Sequence, residues 1–188
     1  MKQVSVLLVS AFVAGVVAAT GSVLDTPAAD AAEVGSAAKE SVQRCGGGRI
    51  SLNADEARSL ALHNRARENR RLSRLCVHPR LQRAARAHSK DMIERDYFSH
   101  DTKRRNESAC ERVRRYGYRF RYCAENIAYG SGAKGSPDSI MRRWMGSHGH
   151  RRNILSGKYR EVGIGTHTGS FNGTRNVTMY TADFGRRP

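Results

Sequence analysis

Residues 78–100 read HPRLQRAARAHSKDMIERDYFSH, the stretch with the strongest helical periodicity in the chain. Five of its residues recur at helical spacing and predict one buried stripe: Leu81, Ala84, Ala85, His88 and Met92. Pro79 suits the first turn of such a helix, where a missing N–H leaves no helical bond unmade. The sequence therefore predicts an amphipathic helix that begins at Pro79, with His88 as a core histidine bordering a cleft.

Three more helices are predicted on either side of this one. Asn53-Ala54-Asp55-Glu56 places a capping residue three positions before a glutamate, which is typical of a helix start. A helix from about Glu107 to Tyr116 would end at Gly117, and another would begin at Ser136-Pro137.

The last part of the chain changes to the two-residue period of strands. Apolar and polar residues alternate around 162–166 and again around 177–181, and Asn172-Gly173 between them is a strong hairpin signal. Helices first and an antiparallel hairpin last are typical of an α+β layered domain, not of a parallel βαβ sheet.

The start of the chain has the composition of an export signal. Residues 4–19 carry no charge and follow Lys2, a pattern that the secretory machinery recognises. The run is short for a membrane span, which needs about 20 apolar residues, although an uncleaved anchor is the alternative. We predict a signal peptide over residues 1–32, a flexible lead-in over 33–52 and one secreted domain over 53–188, with no other membrane span.

Four cysteines lie in the exported part: Cys45, Cys76, Cys110 and Cys123. An even number in a secreted chain favours disulfides, and three pairings are possible. Cys110–Cys123 is favoured because it closes a short loop, which leaves Cys45–Cys76 to tie down the lead-in. The absence of a C-x-x-C pair argues against a zinc knuckle.

The formal net charge of +16 comes mostly from arginine. Such a charge favours acidic partners, namely anionic lipid head groups, cell-wall polymers or nucleic acid. The arginines are spread along the whole chain, so the alternative is that they form the solvated faces of helices.

Four short segments carry the polar residues from which sites are built: Tyr97-Phe98-Ser99-His100, Ala124-Glu125-Asn126-Ile127, residues 147–155 (SHGHRRNIL) and Glu161-Val162-Gly163-Ile164-Gly165. In this order and spacing, and together with residues 78–100, they resemble bacterial members of the CAP superfamily of cysteine-rich secretory, antigen 5 and pathogenesis-related 1 proteins. The likeness runs from about Ala57 to Phe184. It implies an α-β-α sandwich, in which a short antiparallel sheet lies between helical layers.

The resemblance also implies a surface cleft in which two histidines and two glutamates can hold a divalent metal. His100, Glu125 and His150 match three of these positions. The fourth falls on about Ser147, and Glu161 is a candidate to enter the cleft from its strand instead. Imidazole and carboxylate groups suit Zn²⁺ or another divalent cation. The alternative is a hydrogen-bonded structural cluster.

We therefore expect a secreted, non-enzymatic protein that binds a lipid, a sterol or an anionic cell-envelope polymer through this cleft, as the resemblance implies. A metal-dependent extracellular hydrolase, such as a protease, is the alternative. No H-E-x-x-H or G-x-S-x-G motif is present, so no catalytic residue is assigned. Nucleic-acid binding ranks last, because few aromatic residues are available to stack on bases.

Overall fold

A computed structural model describes residues 39–188 of the protein, and the predicted signal peptide lies outside this range. The elements in chain order are β1 (Lys39–Gln43), β2 (Arg49–Asn53), α1 (Ala54–Glu68), β3 (Cys76–Val77), α2 (Pro79–Glu94), α3 (Ala109–Arg115), β4 (Tyr122–Ser131), a 3₁₀ turn (Gly132–Gly135), α4 (Pro137–Gly146), α5 (His148–Ile154), β5 (Glu161–Phe171) and β6 (Thr174–Arg186). Over this range, no helix combines the length and the apolar character that crossing a membrane requires.

The main sheet has the strand order β3-β5-β6-β4. β5 and β6 form the predicted antiparallel hairpin around Asn172 and Gly173, whose φ angles of 45° and 72° suit a tight two-residue turn. β4 pairs antiparallel with β6 along its whole length and forms one edge of the sheet. The two-residue β3 lies parallel to β5 on the other side.

Helices cover both faces of this sheet. On one face, Met92 and Ile93 of α2 pack against Ile127 of β4 and Met179 of β6. On the opposite face, side chains of α1, α4 and α5 enclose the larger part of the core: Leu60, Ile140, Trp144, Ile154, Ile164, Tyr180 and Phe184. The α+β class and the α-β-α sandwich are therefore confirmed.

The segment predicted as a flexible lead-in is ordered where the structure describes it. β1 and β2 pair antiparallel from Lys39 opposite Asn53 onwards. Leu52 is fully buried, and the Cys45–Cys76 disulfide ties the turn of this hairpin to β3. The structure thus corrects the lead-in prediction over residues 39–52, because burial of one face and a cross-link fix the chain there.

Two glycines of β5 allow α2 to lie directly on the sheet. A Cβ atom at Gly163 would overlap the backbone of Leu81, and one at Gly165 would overlap the backbone of Ala85 and Arg86. The glycines in the E-V-G-I-G segment therefore serve packing, because any side chain at these positions would push the helix off the strand.

Replacing Gly165 with alanine is expected to lower the free energy of unfolding by about 1–3 kcal/mol or more, because backbone cannot move aside as a side chain can. Urea unfolding of the variant measures this. Gly146→Ala is the matched control, since nothing lies within 4 Å of a Cβ there, and it should leave stability unchanged or slightly higher. Equal stability of the two variants would contradict the close approach of α2 to β5.

Candidate functional site

Glu125 on β4 is the centre of a buried cluster of charged side chains. Only 1% of its side chain is exposed. Its Oε1 accepts a hydrogen bond of 2.6 Å from Nδ1 of His100, and its Oε2 accepts one from Nη2 of Arg112. Because the guanidinium of Arg112 is equally buried, the two charges neutralise each other away from water.

The chain brings these groups together through one disulfide and one buried arginine. The Cys110–Cys123 bond, with its Cα atoms 5.9 Å apart, joins the start of α3 to the start of β4. Arg112 therefore lies beside Glu125, two residues past each cysteine. Its Nη1 donates to the carbonyl oxygen of His100 at 3.0 Å, which holds the loop after α2 against α3.

Asp183 on β6 pairs directly opposite Glu125 and is also buried. Among residues 39–188, neither oxygen of its carboxyl group accepts a hydrogen bond. Burial and the neighbouring Glu125 raise the pKa of Asp183 well above its usual value. The neutral form of Asp183 is thus favoured, because a second negative charge beside Glu125 would be buried and unpaired.

His88 lies in the core beside this cluster, as the sequence predicted. Its Nε2 donates to the carbonyl oxygen of Ser99 at 2.9 Å and lies 3.9 Å from Oε2 of Glu125. Burial and the charge of Arg112 lower the pKa of His88 to about 4. His88 is therefore neutral at physiological pH.

The pKa values of His100 and His150 shift in opposite directions. The hydrogen bond to Glu125 raises the pKa of His100, whose side chain is 54% exposed. Burial, and then the charge of His100, lower the pKa of His150. The charged form is therefore favoured at His100 and the neutral form at His150, a combination that suits recognition of an anionic or hydroxyl-bearing group.

Two asparagines dock the helix of His150 on the edge strand. Nδ2 of Asn126 donates to the carbonyl oxygen of His150 at 3.1 Å, and Nδ2 of Asn153 donates to Oδ1 of Asn126 at 2.9 Å. The histidine is thus placed by backbone and amide contacts on β4.

A groove with a cavity volume of about 600 Å³ runs along the β4 edge. We call it the β4 groove; its walls include Phe98, Tyr129, Trp144, Phe171, Lys134 and His150. The rings of Phe98 and Tyr129 meet edge to face with centroids 4.9 Å apart, and Tyr129 meets Phe171 in the same way. An apolar wall that ends in cationic and imidazole groups suits an amphiphilic ligand.

The family model described as the cysteine-rich secretory protein family, CAP, matches residues 60–184. This chain belongs to the CAP family. The match covers α2, the charged cluster and the strands that form the groove.

Three individual proteins illustrate the relationship. The uncharacterized protein YkwD of Bacillus subtilis is 32% identical over 115 residues, which cover 61% of this chain and 43% of YkwD. An extracellular protein of Bacillus anthracis that contains an SCP domain is 27% identical with a TM-score of 0.60, covering 71% of this chain and 40% of that one. An outer surface protein of Borrelia burgdorferi shares the fold, with 17% identity, a TM-score of 0.63 and coverage of 74% of this chain and 97% of that one. The chain thus spans less than half the length of the two Bacillus proteins.

The CAP domain does not arrange its predicted metal ligands around a common point. Both oxygens of Glu125 are engaged, one by His100 and the other by Arg112. Within residues 39–188, His100, Glu125 and His150 are not among the trios of His, Cys, Asp or Glu whose donor atoms lie within 4.8 Å of one another. This arrangement does not fit Zn²⁺ or another divalent cation, and it agrees with the hydrogen-bonded cluster that the sequence left as the alternative.

Glu161 lies away from the cleft, at the start of β5. Its carboxylate accepts a hydrogen bond from the hydroxyl of Tyr118 and pairs with Arg187 at 2.8 Å. It also lies beside Cys45 and Cys76, but these are joined in a disulfide and cannot bind a metal. The structure corrects the prediction that Glu161 enters the cleft, because Tyr118 and Arg187 hold its carboxylate on β5, two strands across the sheet from Glu125.

Ser147, the predicted fourth position, connects α4 to α5 and lines the β4 groove next to His150. Arg112 and Asp183 complete the cluster, and the sequence analysis did not single them out. Asp183 left a signal, since it is a lone acidic residue within the apolar run Y-T-A-D-F. Arg112 left none, because it sits among other arginines in E-R-V-R-R.

Proposed function

We propose that this CAP domain is an extracellular, non-enzymatic binding module that holds a lipid chain in the β4 groove. The observation that carries the proposal is the exposure of Phe98 and Tyr129. Over residues 39–188 these are the large apolar side chains that remain exposed, and both line the groove. Adjacent exposed aromatics on an otherwise polar surface are typical of a binding site.

The polar end of the groove indicates which kind of lipid fits. Lys134 and His150 line it, and the hydrogen bond to Glu125 raises the pKa of the neighbouring His100. A fatty acid or another single-chain lipid with an anionic head would place its chain along Phe98 and Tyr129 and its head near these groups. A sterol or a lipid-bearing cell-envelope polymer meets the same apolar wall.

Secretion is part of the proposal. Two disulfides, Cys45–Cys76 and Cys110–Cys123, suit an oxidising compartment, and the Bacillus anthracis relative is described as extracellular. The predicted signal peptide agrees with this location. A metal-dependent hydrolase gains no comparable support, because Glu125 is engaged by Arg112 and His100.

The double variant Phe98→Ser/Tyr129→Ser is expected to bind a fluorescent fatty acid about tenfold more weakly, or worse, than the wild-type domain, because two aromatic contacts with the chain are lost. Fluorescence titration of the purified domain measures the affinity. His150→Gln tests the polar end of the groove. It should weaken binding of a fatty acid more than binding of the corresponding fatty alcohol.

Tyr122→Ser is the matched control, since Tyr122 lies on β4 with Tyr129 but outside the groove. It should retain wild-type affinity. Unchanged binding in the Phe98/Tyr129 variant, or an equal loss in the Tyr122 variant, would remove the groove from the account.

A further inference from the structure

A second, smaller pocket lies between α2, α3 and the loop after α2. Its cavity volume is about 200 Å³, and it shares no lining residue with the β4 groove. We call it the α2–α3 pocket; the residues that matter for its chemistry are His88, Asp91, Arg104, Arg105, Arg112 and Arg115.

Two residues of this pocket carry buried polar atoms without a partner among residues 39–188. Nε of Arg112 is a hydrogen-bond donor that nothing accepts, and Nδ1 of His88 is likewise unpaired. Both residues are only 1% exposed. Because an unpaired buried polar group costs about 1–3 kcal/mol, two of them in one pocket indicate a missing partner.

The chemistry of each atom follows from its neighbours. Nε2 of His88 carries the ring proton, since it donates to the carbonyl oxygen of Ser99. With the ring neutral, Nδ1 offers a lone pair and is an acceptor. A ligand that satisfies the pocket must therefore accept from Arg112 and donate to His88.

The surroundings favour an anion. Arg104 and Arg105 are exposed at the pocket and form no ion pair within the described part of the chain. Arg115 is paired with Glu107. Two carboxylates oppose an anion: Asp91, to which Arg95 donates at 2.7 Å, and the buried Glu125, which already accepts from Arg112 and His100.

We propose that the α2–α3 pocket is a binding site for a phosphate monoester or inorganic phosphate. Arg112 donates from Nε to a phosphate oxygen, the P–OH group of the monoprotonated form donates to Nδ1 of His88, and Arg104 and Arg105 supply positive charge at the mouth. A phosphodiester lacks the O–H group and satisfies only half of the pocket. Because Nε of Arg112 and Nδ1 of His88 are buried, side chains that line the pocket have to reorient as the ligand enters.

Titration of the folded domain with inorganic phosphate tests this proposal, followed by the ¹⁵N resonances of the His88 ring and of the Arg112 side chain. We expect saturable shifts of both signals, and sulfate, which carries no proton at neutral pH, should bind about tenfold more weakly because it cannot donate to His88. Shifts that never saturate, or that leave His88 and Arg112 unmoved, would overturn the proposal.

Two double variants that remove the same positive charge distinguish a specific phosphate site from general electrostatic attraction. Arg104→Ala/Arg105→Ala should weaken phosphate binding at least about tenfold, since two charged contacts are lost. Arg83→Ala/Arg119→Ala removes the same charge from exposed positions outside the pocket and should have less than about a twofold effect. An equal loss in both pairs would overturn the site.

Two further arms identify the source of the phosphate group. Glycerol phosphate represents soluble monoesters, and phosphatidylcholine vesicles that contain phosphatidic acid represent lipids; vesicles with phosphatidylglycerol supply the diester comparison. Preference for either monoester over the diester supports the proposal, and equal binding of the diester contradicts it. The Phe98→Ser/Tyr129→Ser variant should keep its phosphate affinity, so failure of the lipid groove and failure of this site are distinguishable.

Discussion

Replacing Arg112 with methionine is expected to lower the free energy of unfolding by about 3–5 kcal/mol. The side chains of Arg112 and Glu125 are both 1% exposed and bonded to each other. Without the guanidinium, Glu125 keeps a buried negative charge beside Asp183, and the half-exposed His100 is left as its hydrogen-bond partner. Urea unfolding at neutral pH measures the loss.

Two further variants show whether the loss comes from the buried charge. Arg115→Met makes the same change one turn along α3, where the arginine pairs with Glu107 near the surface, and should cost only about 0–1 kcal/mol. Adding Glu125→Gln to Arg112→Met removes the stranded charge and should recover much of the stability. Equal costs in the two arginine variants, or no recovery in the double variant, would contradict the buried ion pair.

The elements that the sequence predicted are those in which local chemistry and packing agree. Asn53 caps α1 with the expected capping box, α2 begins at Pro79, and Asn172-Gly173 turns β5 into β6. The third helix begins at Ala109, slightly later than expected, because Ser108 caps it. In each case a cap or turn residue marks the boundary.

The elements that were missed depend on contacts distant in sequence. β4 lacks a clear two-residue period because its residues face two different layers, with Glu125 toward α2 and Asn126 toward α5. No helix was predicted over residues 148–154, which form α5 and are attached to the sheet by Asn126 and Asn153. The sequence pattern alone does not show which distant residues β4 and α5 contact.

The candidate site shows the same difference between residues marked by local motifs and residues placed by contacts distant in sequence. His100 and Glu125 were found because their motifs are distinctive, whereas the partner that neutralises Glu125 was one arginine among many. The interpretation of the arginines as solvated fits Arg83 and Arg114, which are exposed, but not Arg67 or Arg112. Arg67 is buried and donates from Nη1 to the carbonyl oxygen of Ile154 at 2.8 Å. Which arginine is buried depends on where unpaired acceptors lie in the folded chain.

His63 makes the stability of the domain sensitive to acid. It is fully buried in α1, where Nδ1 donates to the carbonyl oxygen of Ser59 at 2.7 Å and the ring packs against Trp144 and Phe184. Nε2 has no partner among residues 39–188, so a proton added there would be a buried, unpaired charge. Burial lowers the pKa of His63 to about 4.

The direction of the pH effect follows from the protonation of His63 in the folded and the unfolded chain. Below the ordinary value of 6.5 the unfolded chain takes up a proton at this ring, whereas the folded chain does not until about pH 4. The contribution of His63 to the free energy of unfolding is therefore complete above pH 6.5. It falls by about 3 kcal/mol between pH 6.5 and 4. His88, whose pKa is also lowered to about 4, acts in the same direction. His100 acts in the opposite direction, because its raised pKa stabilises the fold below 6.5 and the contribution is lost as pH rises through its folded value.

His63→Leu is expected to remove the acid-sensitive contribution of His63. Leucine fills a similar volume against Trp144 and Phe184 and binds no proton, so the variant should gain about 3 kcal/mol relative to wild type between pH 6.5 and 4. Urea unfolding at several pH values across that range measures the difference. Leu81→Val is the control, because a fully buried residue that does not titrate should change stability by the same amount at every pH. Parallel pH profiles for wild type and His63→Leu would contradict a neutral histidine in the core.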